Sequence, residues 1–403
     1  MPPPANAAPP LPRPPRLLIA CGLTPARGQA SAQVLLRHAE RFRAENWPVT
    51  VLCPEPAPPN HLAPLGVRTL SLPRRFWHPP VRSYLPGSTA LRAFASAANL
   101  KPLLSPPPDI IVGASGQELH LRVALGLART LDKPFHLLMH DWWPDFSGPR
   151  EHARLLRLLR AACVRSATVW TVSPELAAAA RACGASRAEL LPPIGGDTPS
   201  GPPPAPASIR GGCVAFFGSF GAAHAPVLAA VARHLPTFRA RLLVVTRQHA
   251  EARVALGTLP GVEVRPPFET AAAAVEHART RCSAVLVASP MDADAEPWIR
   301  RSFPSKFVEF VHTGLPVLLV APPESSLGAW AAARRWPSFS ATLGDTDLLD
   351  ALTVLANFPQ IAAAAAARLA DGDFHPARIH GRFAAGLSDS LPSSFPSIPF
   401  GRP

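Results

Sequence analysis

Hydrophobic positions along this chain fall into two alternating textures. The first is short, apolar and rich in β-branched residues: RLLIACG (16–22), VTVLCP (49–54), VRTLSL (67–72), DIIVGA (109–114), FHLLMH (135–140) and ATVWTV (167–172). The second is longer and amphipathic, as in 32–46, 118–131 and 150–164. Near-continuous apolar runs are what strands covered on both faces show, and the longer stretches have the helical period. Their alternation predicts a parallel, doubly wound sheet. The first unit is a βαβ opening with Gly22 and Gly28 in the loop before its helix.

The pattern breaks at GGDTPSGPPPAPASIRGG (195–212), which is dense in Pro and Gly and almost free of large apolar residues. It then restarts. CVAFFGSFG (213–221) repeats the strand-and-glycine opening, and RLLVVT, VEVRPP, AVLVAS and PVLLVA follow with helical stretches between. At 403 residues the chain is too long for one ordinary core, and 47% hydrophobic content fills two. The expected fold is α/β: two Rossmann-like doubly wound domains facing a central cleft. The expected division is a disordered Pro-rich extension (1–15), a first domain (16–200), a linker (201–211), a second domain (212–385) and a disordered tail (386–403). The stretch 73–90, rich in Arg and Pro, reads as an active-site loop or a long surface excursion.

Charge narrows the partners. Forty Lys and Arg against 27 acids give a formal net charge of +13, which favours an anionic partner. One Tyr and no clustered aromatic and basic platform argue against nucleic acid. The helix around RLLRLLR (154–160), with Arg150 upstream, reads as a basic face for anionic lipid or as a core helix with a solvated Arg edge. No apolar run reaches the length of a membrane span and no signal peptide is legible, so a cytoplasmic protein, peripheral on the membrane at most, is expected. The six cysteines show no metal-ligand spacing and read as buried thiols in a reducing compartment.

In open α/β sheets ligands sit beyond the carboxyl ends of the strands, so residues just after strands carry the candidate chemistry. HDWWPD (140–145) places His140 and Asp141 there. The pair reads as a base or electrostatic stabiliser with its orienting carboxylate, or as a turn beside core tryptophans. Gly218 and Ser219 in FFGSFG could bring backbone amides and a hydroxyl to a phosphate, or form a plain tight turn. Arg247 follows the strand RLLVVT and could grip a diphosphate or lie on the surface. In FPSKFVEFVHTGLPVLLV (303–320), Ser305 and Lys306 begin a short helix and Glu309 lies one turn on. Phosphate at the helix start and a ribose diol at the carboxylate fit a nucleoside diphosphate, and a capped amphipathic helix is the other reading.

That last stretch resembles the nucleotide-sugar-binding segment of retaining GT-B-fold glycosyltransferases of the family 4-like group, with its P-S-K, following Glu and G-x-P-V. The resemblance extends along nearly the whole chain, through RLLIACGLTPARGQASAQVLLRHAERF, VTVLCP, HLLMHDWWP, TVWTVSPELAAAA (168–180) and AELLPPIGGD (188–197). It implies a nucleotide-diphosphate sugar held by the second domain and a glycan or lipid-linked acceptor held by the first. Transfer would occur in the cleft, in polysaccharide or cell-envelope glycan synthesis. Residue by residue, Glu309 would contact the ribose. Lys306 and Arg247 would neutralise the leaving diphosphate beside Gly218, and His140 would stand by the transferred sugar. No metal and no cofactor are implied.

Two departures stand out. Many members of the group carry a Glu eight residues before the one matching Glu309, where this chain has Arg301, and GSFGAAHAP lacks their usual Arg and Lys. Glu296 is a candidate replacement carboxylate. The departures motivate the alternative, a degenerate member that binds a sugar nucleotide or a partner without turnover. DAD (292–294) matches a metal-holding pattern of a different glycosyltransferase fold, and a three-residue match of this kind arises readily by chance.

Overall fold

The computed structural model describes residues 13–27, 30–54, 60–72, 93, 97–114, 116–196 and 204–392. Gly28 and the 73–90 stretch lie outside them, as do residues 1–12 and 393–403.

Two all-parallel sheets form the frame. The first contains β1 (Leu17–Ala20), β2 (Val49–Cys53), β3 (Arg68–Ser71), β4 (Ile110–Ala114), β5 (Phe135–Met139), β6 (Thr168–Thr171) and β7 (Ala188–Leu190), in the order β3-β2-β1-β4-β5-β6-β7. The second contains β8 (Cys213–Phe217), β9 (Arg241–Val245), β10 (Val262–Arg265), β11 (Ala284–Ala288), β12 (Val317–Val320) and β13 (Phe339–Ser340), in the order β10-β9-β8-β11-β12-β13. Strand order reverses between β1 and β4 in one sheet and between β8 and β11 in the other. A crevice opens at such a reversal because the helices on its two sides leave to opposite faces. The central strands β1, β4, β5 and β8 are buried at every position, as their apolar sequences require, with His136 of β5 the one polar side chain among them. The short β7 and the two-residue β13 were not read as strands in the sequence, because neither has enough residues to show a period.

The helices relevant to the cleft are α1 (Ala30–Ala44), α2 (Glu118–Thr130), α3 (Pro149–Arg165) and α4 (Pro174–Ala182) in the first domain. The second domain supplies α5 (Ala225–His234), α6 (His249–Leu256), α7 (Ala271–Arg281) and α8 (Ser305–Phe310). After α9 (Ser326–Ala333), α10 (Asp345–Asn357) and α11 (Pro359–Asp371) comes α12 (Pro376–Ser388), which corrects the expected domain limits. Ile379, Phe383, Ala384 and Leu387 join the core formed by β1, β2 and α1, so the last helix belongs to the first domain. Residues 386–388, expected in a disordered tail, are the end of that helix. Apolar spacing encodes that α12 must be covered, and only packing decides which sheet covers it.

The start of the chain needs a similar correction. Arg13, expected within a disordered extension, donates to Asp109 from Nη1 at 3.1 Å, and Arg16 donates to the same carboxylate through its backbone N–H at 2.9 Å and Nη2 at 3.0 Å. Asp109 is 4% exposed. Burial works to raise its pKa, and the arginine hydrogen bonds overcome this and hold it below the usual carboxylate range. The free cysteines are buried except for the half-buried Cys282.

The return of α12 rests on one close approach. A Cβ at Gly386 would stand 2.4 Å from Cη2 of Trp170, a buried ring on β6. Gly386→Ala is therefore expected to destabilise the protein by about 1–3 kcal/mol through overpacking, although alanine is the better helix former by about 1 kcal/mol. The urea midpoint of the variant checks this, and an unchanged or higher midpoint contradicts it.

Candidate active site

The strand ends of the two sheets face one another across the cleft. β5 ends at Met139 and delivers His140 and Asp141, and β8 ends at Phe217 and delivers Gly218 and Ser219. These four residues line one cavity of about 330 Å³ together with Ser305 and Lys306 at the start of α8. A second cavity of about 310 Å³ shares Gly218, Ser219 and Lys306 and is completed by Arg247 and Phe268. Two pockets that meet at a glycine turn and a lysine suit a ligand with an anionic centre and two dissimilar ends.

Glu309 faces a third cavity of about 430 Å³, and it is engaged there. Arg37, on α1 of the first domain, donates to it from Nη1 to Oε2 at 2.6 Å and from Nη2 to Oε1 at 2.8 Å. Nη1 also donates to the carbonyl of Ile194 at 3.0 Å. Both side chains are nearly covered, at 14% and 11% exposure. Gly196 makes room for the pair: a Cβ there would lie 3.1 Å from Nη2 of Arg37 and 3.2 Å from Oε1 of Glu309. Burial lowers the pKa of Lys306, Glu309 works to raise it, and Arg37 and Arg247 lower it further. The four charges thus form one cluster at the junction of the cavities. Arg37 was not read as a site residue. Its only signal was position, since Gln33 one turn earlier on α1 also lines two of the cavities.

Burial also lowers the pKa of His140, against the opposing pull of Asp141, so its imidazole is neutral at pH 7. Asp141 accepts a hydrogen bond from Ser302 Oγ at 2.7 Å across the domain boundary. Next to it, Arg301 donates to Asp145 at 2.6 Å and its guanidinium lies 5.6 Å from the ring centroid of Trp142. Ser173, which caps α4, also donates to the Arg301 carbonyl at 2.5 Å. Arg301 therefore fastens the His140 loop to the second domain. Trp142 is buried in the core.

Not every anticipated residue reaches the cavities. A Cβ on Gly22 would stand 2.4 Å from Cβ of Gln117, so this glycine serves the packing of the loop after β1 and lines none of the three cavities. A glycine after a first strand looks the same in sequence whether a ligand or a side chain needs the space. In DAD, Asp292 Oδ1 accepts the backbone N–H groups of Asp294 and Ala295 at 3.0 and 2.9 Å, and Asp294 pairs with Arg300 at 2.6 Å. Among the described residues no group of three or more His, Cys, Asp or Glu could hold a metal ion.

Comparison with known proteins agrees with this arrangement. The profile of the glycosyl transferase 4-like domain family matches residues 30–193. No curated protein sequence matches the chain. Among solved structures, Anabaena Alr3699/HepE in complex with UDP-glucose superposes with a TM-score of 0.64 at 15% identity, covering 93% of this chain and 100% of that one. The lipopolysaccharide outer core galactosyltransferase WaaB, in its apo form, gives 0.63 at 13% identity, covering 93% and 100%. Sucrose-phosphate synthase from Thermosynechococcus elongatus gives 0.55 at 16% identity, covering 89% and 99%. Residues 30–193 thus match a glycosyl transferase 4-like domain, and the two facing parallel sheets have the GT-B fold of these neighbours.

Proposed function

We propose that this protein is a glycosyltransferase that takes its sugar from a uridine-diphosphate donor and passes it, with retention of configuration and without a metal ion, to a glycan or lipid-linked acceptor of the cell envelope. The observation that carries the donor reading is the meeting of two cavities at Gly218, Ser219 and Lys306. The sugar goes to the His140 side and the nucleoside to the Arg247 and Phe268 side, with the diphosphate between. HepE, the neighbour solved with UDP-glucose, supports uridine as the base. Charge develops on the leaving diphosphate, so preorganised cations supply the main stabilisation.

Glu309 is the acceptor for the ribose diol. In the free protein Arg37 holds its carboxylate, so ribose must compete with a bidentate ion pair. Opposite effects are expected: Glu309→Gln weakens UDP binding by about tenfold, the worth of one charge-assisted hydrogen bond, and Arg37→Gln strengthens it. Calorimetric titration with UDP checks both. A weakening in both variants would make Arg37 a second nucleotide contact instead of a competitor.

One observation favours the second reading, a binder without turnover. Arg301 stands at the position that is acidic in the resembled group, and it is committed to Asp145. UDP and UDP-glucose binding with neither donor hydrolysis nor transfer would select this reading.

The acceptor side points to a membrane. On α3, Arg150, Arg157 and Arg160 are exposed, with Val164 69% exposed beside them and Phe146 58% exposed before the helix begins. Among the described residues no single helix is long and apolar enough to cross a membrane, so contact would be peripheral. Flotation with vesicles containing anionic phosphatidylglycerol, and no flotation with phosphatidylcholine alone, is the expected result.

A further inference from the structure

The cavity that holds Lys306 and His140 also holds a histidine with no part in the scheme above. His224 closes the turn after β8 and immediately precedes α5. It lines the cavity alongside Gly218, Ser219 and Lys306. Its Nδ1 is buried and has no hydrogen-bond partner among the described residues. A buried polar atom left without a partner costs stability, while the residue as a whole is half-buried and lines the cavity.

The surroundings suit an anion-responsive group. Glu296 is the charged side chain that acts on the ring, and the Phe216 ring lies 6.1 Å away, centroid to centroid. Glu296 is itself fixed, accepting from Nε1 of Trp298 at 2.5 Å, and Trp298 lines the same cavity. Lys306, His140 and Asp141 are the other ionisable groups on the cavity wall. Burial holds the His224 pKa below the ordinary imidazole range and Glu296 opposes it, so the ring is neutral in the free protein at pH 7. Between Gly218 and Arg233 the sequence offers His224 as its single side chain able to carry positive charge.

We propose that His224 is a conditional cation of the donor site: it takes up a proton when a nucleotide sugar arrives and donates to the diphosphate. This rests on the reading of the cavity as the donor site. A diphosphate diester brings two negative charges to the ring and favours its protonated form. Binding is then coupled to proton uptake. Affinity rises as pH falls from the pKa of the bound state towards that of the free state, by at most about tenfold per pH unit for one proton. A site built with Arg or Lys at this turn has no such dependence, because those groups stay charged throughout.

UDP-glucose is the probe, because its diphosphate has no proton that titrates near neutrality. Calorimetric titrations of the full chain at pH 6, 7 and 8, each in two buffers of different ionisation enthalpy, count the protons taken up. Wild-type protein is expected to bind roughly three- to tenfold more tightly at pH 6 than at pH 8, with net proton uptake. His224→Gln should abolish most of the uptake and flatten the pH dependence. His224→Arg should bind with little pH dependence, which also shows that a change at this position leaves the site folded. Glu296→Gln should move the uptake to lower pH. His224→Gln with wild-type uptake and affinity would overturn the proposal and leave the donor site standing. A wild-type protein that binds neither UDP nor UDP-glucose would overturn the donor reading and the proposal together.

Discussion

Lys306→Ala is expected to lower kcat/KM for sugar transfer by about 10²–10³-fold, the usual cost of removing one preorganised stabiliser of developing charge. Lys306 lies where the two cavities meet, and on the proposed reading its ammonium faces the diphosphate that joins the two halves of the ligand. In the free protein its charge is held under strain. Burial lowers its pKa, and Arg37 and Arg247 lower it further while Glu309 alone works to raise it. A diphosphate adds negative charge where the cluster lacks it, and more negative charge develops there as the glycosidic bond breaks. The loss should therefore appear in kcat more than in UDP affinity. The fold should survive, because Phe307, Val308 and Phe310 anchor α8 in the core. Lys306→Arg should recover only part of the activity, since a planar guanidinium needs more room than an ammonium. Activity of Lys306→Ala within tenfold of wild type, measured by release of UDP, would remove Lys306 from the mechanism.

The second large effect is expected at His140. His140→Ala should lower kcat by about 10²–10³-fold and leave UDP affinity nearly unchanged. The reason is placement: His140 lines the cavity proposed for the sugar and is absent from the walls of the one proposed for the nucleoside. Burial keeps its imidazole neutral, with Asp141 pulling the other way. A neutral ring can donate one hydrogen bond and accept another, which suits sugar hydroxyls. The sign of the pH effect follows. Because its pKa is lowered, the neutral form persists below the ordinary histidine range. The kcat profile should then be flat from about pH 8 to 6.5 and fall only as pH drops through the lowered pKa. This runs opposite to the affinity gain expected from His224, so kcat and the dissociation constant must be measured separately. A kcat that rises on acidification over that range would assign the protonated ring.

How much of this was legible in the sequence depended on whether a feature is local. The strands β1, β4, β8 and β11 are apolar throughout and β5 is so except for His136, and a run of that kind has to be covered on both faces wherever it sits. The P-S-K start of α8 and the residues after β5 and β8 were legible for the same reason. A strand end in a parallel sheet points to one side only, and the chain must turn there. The tight packing of Gly22 against Gln117 was not legible, because close packing and ligand approach select the same residue.

The features that escaped all join distant segments. Arg37 and Glu309 are 272 positions apart, and Arg301 and Asp145 are 156 apart. Each residue alone reads as an ordinary charged side chain in an arginine-rich chain. His224 and Glu296 leave two different loops and acquire meaning only where those loops border one cavity. Amino-acid order therefore determined the longer strands and helices, though not the short β7 and β13, and with them that there are two sheets and which residues stand at the ends of the central strands. Tertiary structure alone decided that α12 returns to the first domain, that Arg37 holds Glu309, that Arg301 fastens the His140 loop, and that His224 lines the same cavity as Lys306 and His140. The reason is physical. Hydrophobic periodicity specifies what each segment must bury, but the partner that buries or neutralises it is chosen by packing between segments, and packing leaves no local trace.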